Sequence, residues 1–321
     1  MLRSLFGIDW HKSSPHLLFL SKFLHTHTIE DFAKADNWKV VLKESPQQAI
    51  KRFVDDGVLV HADLGDHLAY KFKVSELKDL LKQRSLPISG RKEDLITRFI
   101  ESDLNGAKKF VVGIHVIHCS DQGRSIAEQY LNGEREKRLK VEQQVIETIR
   151  KRKFKDASLL VATFESVQIF PRGMGIDWKN YNPNRDVSIL KNIFSGIPKQ
   201  LASVDRENLG QLNVAAAMMH LWGTNHGKEW LSSETIDGLT FDNDVALRMI
   251  VSYAMYRYEM VDYKNSGVKS VKILSANDSY VCDSCRKLAR KNYKLSEVPE
   301  LPYEKCTCEM GCRCWMTPHK M

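Results

Sequence analysis

Six of the seven cysteines lie between positions 282 and 314, while Cys119 stands alone mid-chain. No other feature restricts the fold as much. A thiol-rich segment folds around metal in a reducing compartment and around disulfides in an oxidising one. Cys282-x-x-Cys285 has the spacing of a metal knuckle: the two-residue gap lets both sulfurs face one ion while the turn's amides face the thiolates. The second half, CTCEMGCRC, offers Cys306, Cys308, Cys312 and Cys314, more than a single tetrahedral site needs. Paired spacing favours metal, and zinc is the natural occupant because tetrahedral thiolate sites suit a d10 ion. The expected arrangement is one zinc held by Cys282, Cys285 and two of the later four. Cys312 and Cys314 are favoured because Gly311 permits a tight turn just before them, and Cys306 competes. A binuclear site or a spare thiol stays open. With every position filled by thiolate the ion has no place for water, so a structural role is expected. His319 is a further candidate ligand nearby.

The chain has 321 residues, enough for two or three domains with real cores. Lys plus Arg number 48 against 40 Asp plus Glu, a formal net charge of +8, which is compatible with a polyanionic partner. No apolar run approaches the ~18 residues that span a membrane. The N-terminal MLRSLFGIDWHKSSPH has no continuous signal-peptide core, Asp9 interrupting it. A cytoplasmic protein is expected, nucleoid-associated if bacterial, with no membrane partner.

The predicted class is α+β, predominantly α-helical and multidomain. Residues 1–73 read as helices in SPHLLFLSKFLH, TIEDFAKA and SPQQAIKRFVDDG, the last opened by Ser45-Pro46 and closed by Gly57. A hairpin is expected next, VLVHAD and LAYKF about Gly65-Asp66. Helices followed by a hairpin are similar in order to a winged-helix unit. Residues 74–103 form a helix–loop–helix, and 104–170 a strand over 110–120 followed by long helices, with Gly133 as a candidate break. The run RKRKFK, 150–155, reads as a solvated helix end, with phosphate contact as the minority reading. A Pro/Gly/Asn-rich junction opens 171–268, a helical domain, and 269–321 is the cysteine-rich zinc module.

VSELKDLLKQRSLPISGRKEDLITRFI, 74–100, holds two amphipathic helices. Leu77, Leu80 and Leu81 give the first an apolar face, and Leu95, Ile96, Phe99 and Ile100 the second. Leu86 and Ile88, beside Pro87, are placed to plug the gap between them, and the unit is expected to lean on the preceding hairpin. Arg91 and Lys92 stand at the second helix's start, where the dipole disfavours cations. Either Glu93 and Asp94 compensate or an anion docks there. Lys78, Lys82, Arg84, Arg91, Lys92 and Arg98 are the candidate phosphate contacts, with Ser89 and Gly90 in the loop and backbone amides of the second helix as further donors.

Val74, Leu77, Lys78, Leu81, the loop LPISG, Lys92, Leu95, Ile96 and Arg98 together resemble the SAP motif of scaffold-attachment-type DNA-binding proteins. The resemblance covers nearly the whole module. Ser85 stands where the motif often has glycine, and Arg91 where a small residue often follows Gly90. What it implies is binding to double-stranded DNA, often AT-rich, through the minor groove. Asp278, Cys282, Cys285, Leu288, Tyr293, Cys312, Arg313 and Cys314 resemble the C-terminal segment of the phage Mu minor-head, or SPP1-type head-morphogenesis, family. That family usually has His-Pro before its last cysteines; YEKCTCEMG stands here instead, so the resemblance does not fix the ligands.

The expected function is nucleic-acid binding, double-stranded DNA first, by a non-enzymatic protein with a structural zinc module. RNA and a protein partner are the other candidates. The alternatives are a nucleic-acid-processing enzyme targeted by the SAP-like module, and a phage-assembly or interaction protein. His25, His27, His115 and His118 alternate in a way that can build a site, but no paired acidic metal motif, P-loop or Cys/His signature accompanies them, and no catalytic residue is assigned.

Overall fold

The computed structural model describes residues 9–32, 35–231, 236, 239 and 241–319. The chain divides into two compact units, Met1–Lys137 and Arg138–Met321. The described residues are predominantly helical with two three-stranded antiparallel sheets, an α+β protein. No helix among them is long and apolar enough to cross a membrane. The N-terminal stretch read for a signal segment lies, over residues 1–8, outside them.

In the first unit, α1 (Ser14–Leu20) and α2 (Asp36–Leu42) precede α3 (Pro46–Asp55). Ser45 caps α3: its hydroxyl accepts the Gln48 N–H at 3.2 Å, and the Gln48 side chain accepts the Ser45 N–H at 3.1 Å. Gly57 closes the segment at φ +71°. Trp10, Phe19, Phe23, Trp38, Phe53 and Ile117 meet in one buried core. The helix expected over TIEDFAKA shortens to a 3-10 turn, Glu30–Phe32; its continuation over 33–34 lies outside the described residues.

β1 (His27–Thr28), β2 (Leu59–His61) and β3 (Val116–Cys119) form a sheet in the order β1-β3-β2, with His27 opposite Ile117 and Leu59 opposite Cys119. The expected hairpin over 58–72 does not form. Its first half is β2, but its second half is a helix, α4 (Leu64–Lys71). Asp63 decides this by accepting the Asp66 N–H at 2.9 Å as N-cap. Leu64, Leu68, Ala69 and Phe72 then share one apolar helical face, a period that outweighs the strand reading. Without that second strand, residues 58–72 supply no wing for a winged-helix unit.

α5 (Val74–Lys82), α6 (Lys92–Ser102) and α7 (Leu104–Phe110) follow. The strand read over 110–120 is extended only in β3. α8 (Asp121–Arg150) runs unbroken through Gly133 and contains the division between the units.

In the second unit, α8's end, α9 (Phe154–Ser166), α10 (Asn184–Ser195), α11 (Arg206–Trp222) and α12 (Asn243–Asn265) enclose Ile149, Val161, Leu190, Leu212, Met218 and Ile250. The basic run 150–155 covers the last residue of α8, the turn after it and the start of α9, where Phe154 is buried; Arg152 in the turn is left-handed at φ +58° and lays its guanidinium 3.7 Å over the Phe194 ring. The Met- and aromatic-rich stripes of α11 and α12 supply core. β4 (Ser270–Ser275), α13 (Asp283–Leu288), β5 (Asn292–Lys294) and β6 (Cys314–Pro318) complete the chain, in the sheet order β5-β4-β6 with Ser275 opposite Cys314.

Candidate nucleic-acid interface and metal centre

The six C-terminal cysteines converge. Cys282 precedes α13 as its N-cap and Cys285 sits in that helix, so the knuckle is the entry of α13. Cys306 and Cys308 come from the following loop and Cys314 opens β6. Gly311 makes the turn before Cys312 at φ +76°, where a side chain would also press on Val245. The ligand atoms of Cys282, Cys285, Cys306 and Cys308 all lie within 4.8 Å of one another, as do those of Cys285, Cys312 and Cys314. This cluster can hold a metal ion. The grouping differs from the favoured quartet of Cys282, Cys285, Cys312 and Cys314, and it brings in Cys308. The reason is backbone donation across the two loops: the Cys282 N–H reaches the Cys308 Sγ at 3.2 Å, and the Thr307 N–H reaches the Cys282 Sγ at 3.4 Å. Nothing in the spacing of CTCEMGCRC marks this pairing in advance.

The cluster thiols divide: Cys282 and Cys312 are lowered, while Cys285, Cys306 and Cys314, set against neighbouring thiols and buried, are raised. Burial works against the Cys282 anion, but backbone N–H groups of Thr307 and Cys285 outweigh it and bring the thiol down to about 6. Donation from the Cys285, Cys306 and Cys314 thiols holds Cys312 below its ordinary range. Outside the cluster, burial pushes the Cys119 thiol up to about 11. Arg313, between Cys312 and Cys314, is clamped by both oxygens of Asp278 at 2.6 and 2.7 Å. His319 lies apart from both thiol groupings, its Nε2 3.0 Å from the Asn292 side-chain amide.

The helix–loop–helix forms as its apolar faces dictate. Leu77, Leu81, Leu95, Ile96 and Phe99 are buried together with Leu68 of α4 and Ala107 of α7. The brace is therefore α4 and α7 rather than a hairpin. Leu86 packs against this core, but Ile88 stays 43% exposed and plugs nothing.

The loop between the helices is tightly specified. α5 ends in a Schellman turn: the Leu86 N–H reaches the Leu81 carbonyl and the Ser85 N–H the Lys82 carbonyl, both at 3.0 Å. Ser85 takes the left-handed position at φ +55°. At the other end the Asp94 carboxylate accepts the Arg91 N–H at 2.8 Å and caps α6. Gly90 sits at φ +118°, and a Cβ there would meet the Asp94 carboxylate at 2.9 Å.

Three of the six candidate cations are spent internally. Arg84 bonds the Asp103 carboxylate at 2.9 Å and covers the Phe99 ring at 4.8 Å. Lys92 Nζ donates to the Ala69 carbonyl at 2.5 Å, and Arg98 to the Pro87 and Ser89 carbonyls at 2.5 and 3.1 Å. Lys82 and Arg91 are exposed, flank the loop, and make no side-chain ion pair or hydrogen bond among the described residues; Lys78 is half-buried and equally unpaired. Ser89 and Gly90 are exposed between them. The charge at Lys92 is thus answered by a helix-end carbonyl, and that at Arg91 is not.

Residues 71–104 match the family model of the SAP domain. The SAP domain points to nucleic-acid binding as its role. No curated protein and no solved structure matches the chain, and the C-terminal likeness to phage head-morphogenesis proteins finds no support in these comparisons. Within the SAP segment the left-handed Ser85 explains why glycine suits that position. At Gly90, a Gly90→Ala substitution is expected to destabilise the segment by about 1–2 kcal/mol, since an L-residue is strained there and must displace the Asp94 cap. Hydrogen exchange of α5 and α6 amides measures this, and protection equal to wild type would contradict it.

The alternating histidines lie on or just before the paired strands β1 and β3. His27 bonds Asp31 at 3.2 Å, His118 the Cys119 carbonyl, and among the described residues they join no metal-ligating group. Sequence reasoning missed a different pair. His220 Nε2 lies 3.0 Å from the Asp186 carboxylate, which also accepts the Tyr181 hydroxyl, beside a cavity of about 500 Å³. The partners are far apart in sequence, so no local motif announces them.

Proposed function

We propose that this is a non-enzymatic protein that binds double-stranded DNA through its SAP segment and carries a structural zinc module at its C-terminal end. The match of residues 71–104 to the SAP domain carries the reading. Lys82 and Arg91 supply the principal phosphate contacts at the two ends of the loop, with Lys78 beside them. Ser89 and Gly90 let the backbone come close. Arg84, Lys92 and Arg98 act indirectly by fixing the loop's shape, because their donors are engaged within the fold. The Asp94 carboxylate occupies the start of α6, so side chains rather than helix amides meet the anion. Such contacts give affinity and position with little base reading. The excess of basic residues adds long-range attraction.

Zinc suits the all-sulfur donor set, and filled coordination leaves no open position for catalysis. The SAP helix–loop–helix at 74–103 and the module at 269–321 are then the two specialised segments. The remaining segments, 1–73, 104–170 and 171–268, serve as scaffold for them. Cytoplasmic placement follows from the same reading, on the nucleoid if the source is bacterial.

Fluorescence anisotropy of the full chain with labelled duplex DNA, single-stranded DNA and RNA tests this. Duplex is expected to bind most tightly. Tenfold tighter binding to RNA or to single strands would overturn the choice of partner, and no binding to any would overturn the reading.

A further inference from the structure

The two thiol groupings share a residue. Cys285 lies within 4.8 Å of Cys282, Cys306 and Cys308 in one, and of Cys312 and Cys314 in the other. We infer that the C-terminal module holds two divalent ions joined by bridging thiolates of Cys285 and Cys306, with Cys282 and Cys308 terminal on one ion and Cys312 and Cys314 terminal on the other. This rests on the reading of the module as a metal-bound unit and goes beyond it in number and connectivity.

Coordination arithmetic supports the assignment. Two tetrahedral ions need eight metal–sulfur bonds, and six thiolates supply eight only when two of them bridge. Cys285 qualifies by belonging to both groupings, and it is buried. The second grouping holds three thiols and needs a fourth, which the first must share; the Cys282 N–H on the Cys308 Sγ and the Thr307 N–H on the Cys282 Sγ tie those two sulfurs to the first ion, which leaves Cys306 as the second bridge.

A single ion leaves an unresolved surplus. If the first grouping took it, Cys312 and Cys314 would remain as thiols only 7% and 5% exposed, with the Cys312 Sγ 4.0 Å from that of Cys285. Neutral thiols bury at little cost, but thiolates gathered at these distances repel one another unless cations lie between them. A second divalent ion taken with two more thiolates adds no net charge.

The backbone donors fit the same division. Three amides reach Cys308, Cys282 and Cys312, sulfurs assigned as terminal, from Cys282, Thr307 and Tyr303. A terminal thiolate shares its charge with one ion and gains more from an N–H donor than a bridging one does. Among the assigned bridges, Cys306 takes one amide, from Cys308 at 3.4 Å.

Native mass spectrometry of the full chain, zinc-loaded and then dialysed against metal-free buffer, counts the ions. Two zinc ions per chain are expected. The connectivity is read by replacing zinc with cadmium-113 and recording its NMR spectrum, in which two thiolate-type resonances should split each other through the shared sulfurs. Cys312→Ser with Cys314→Ser should lower the count to one. One ion in the wild type would overturn the inference and leave the single structural site standing. No ion would overturn both. Two resonances without mutual splitting would mean separate sites and would overturn the bridging. The wild-type spectrum decides the matter even where the double variant fails to fold.

Discussion

Stripping metal from the full chain with a strong chelator is expected to unfold residues 270–319 while the first unit stays folded. The aliphatic core of this module is small. Four of its ten buried core residues are cysteines, and Val271, Ile273, Val281, Leu288, Leu301 and Met316 make up the rest. Three short strands and one six-residue helix cannot bury enough surface to offset their ordering entropy. Structural zinc contributes roughly 10–16 kcal/mol of apparent binding free energy near neutral pH, far more than such a core can supply. Cys285→Ser should reproduce the effect, since that sulfur serves both thiol groupings. Hydrogen exchange is the readout: amides of β4 and β6 should lose their protection on chelation, and those of α5 and α6 should keep theirs. Unchanged protection in β4 would show that packing alone holds the module.

Phe99→Ala is expected to cost about 3–5 kcal/mol and to melt the SAP segment locally. The ring is fully buried among Leu68, Leu77, Leu81 and Leu95, and it also supports Arg84, whose guanidinium lies 4.8 Å above it. Losing it removes apolar contact and loosens the Arg84–Asp103 pair that ties α5 to the start of α7. A core spanning only Leu64 to Val111 has little reserve. Duplex binding should fall with the loss of structure. Ile88→Ala is the control: the side chain is 43% exposed and its removal should change stability by less than about 0.5 kcal/mol. Equal behaviour of the two variants in hydrogen exchange would contradict the packing described.

Much of this was readable in the sequence where the signal is local and periodic. The apolar spacing of Leu77, Leu81, Leu95 and Phe99 predicts the two SAP helices, and Ser45-Pro46 with Gly57 predicts both ends of α3. The 64–72 segment misleads because Leu64, Leu68 and Phe72 fit a helix while Tyr70 and Phe72 also fit a strand. A single capping residue, Asp63, settles it, and β2 then finds its partner more than fifty residues away. The candidate cations divide for a similar reason. Composition offers six, and only the tertiary positions of Asp103, Ala69 and the Pro87 carbonyl tell which are taken. Among the cysteines, the knuckle at Cys282 and Cys285 is a spacing signal. The place of Cys308 depends on how one loop folds back on another, which no spacing rule encodes.

The most direct test is the salt dependence of duplex binding for wild type and for Lys82→Glu with Arg91→Glu. Both positions are exposed, so the variant should remain folded. Each lost phosphate contact lowers the slope of log affinity against log salt by about 0.9. The variant is therefore expected to bind at least about tenfold more weakly at low salt and to show a slope shallower by about 2. The same affinity and slope in both proteins would contradict the assignment of this loop as the DNA-binding edge.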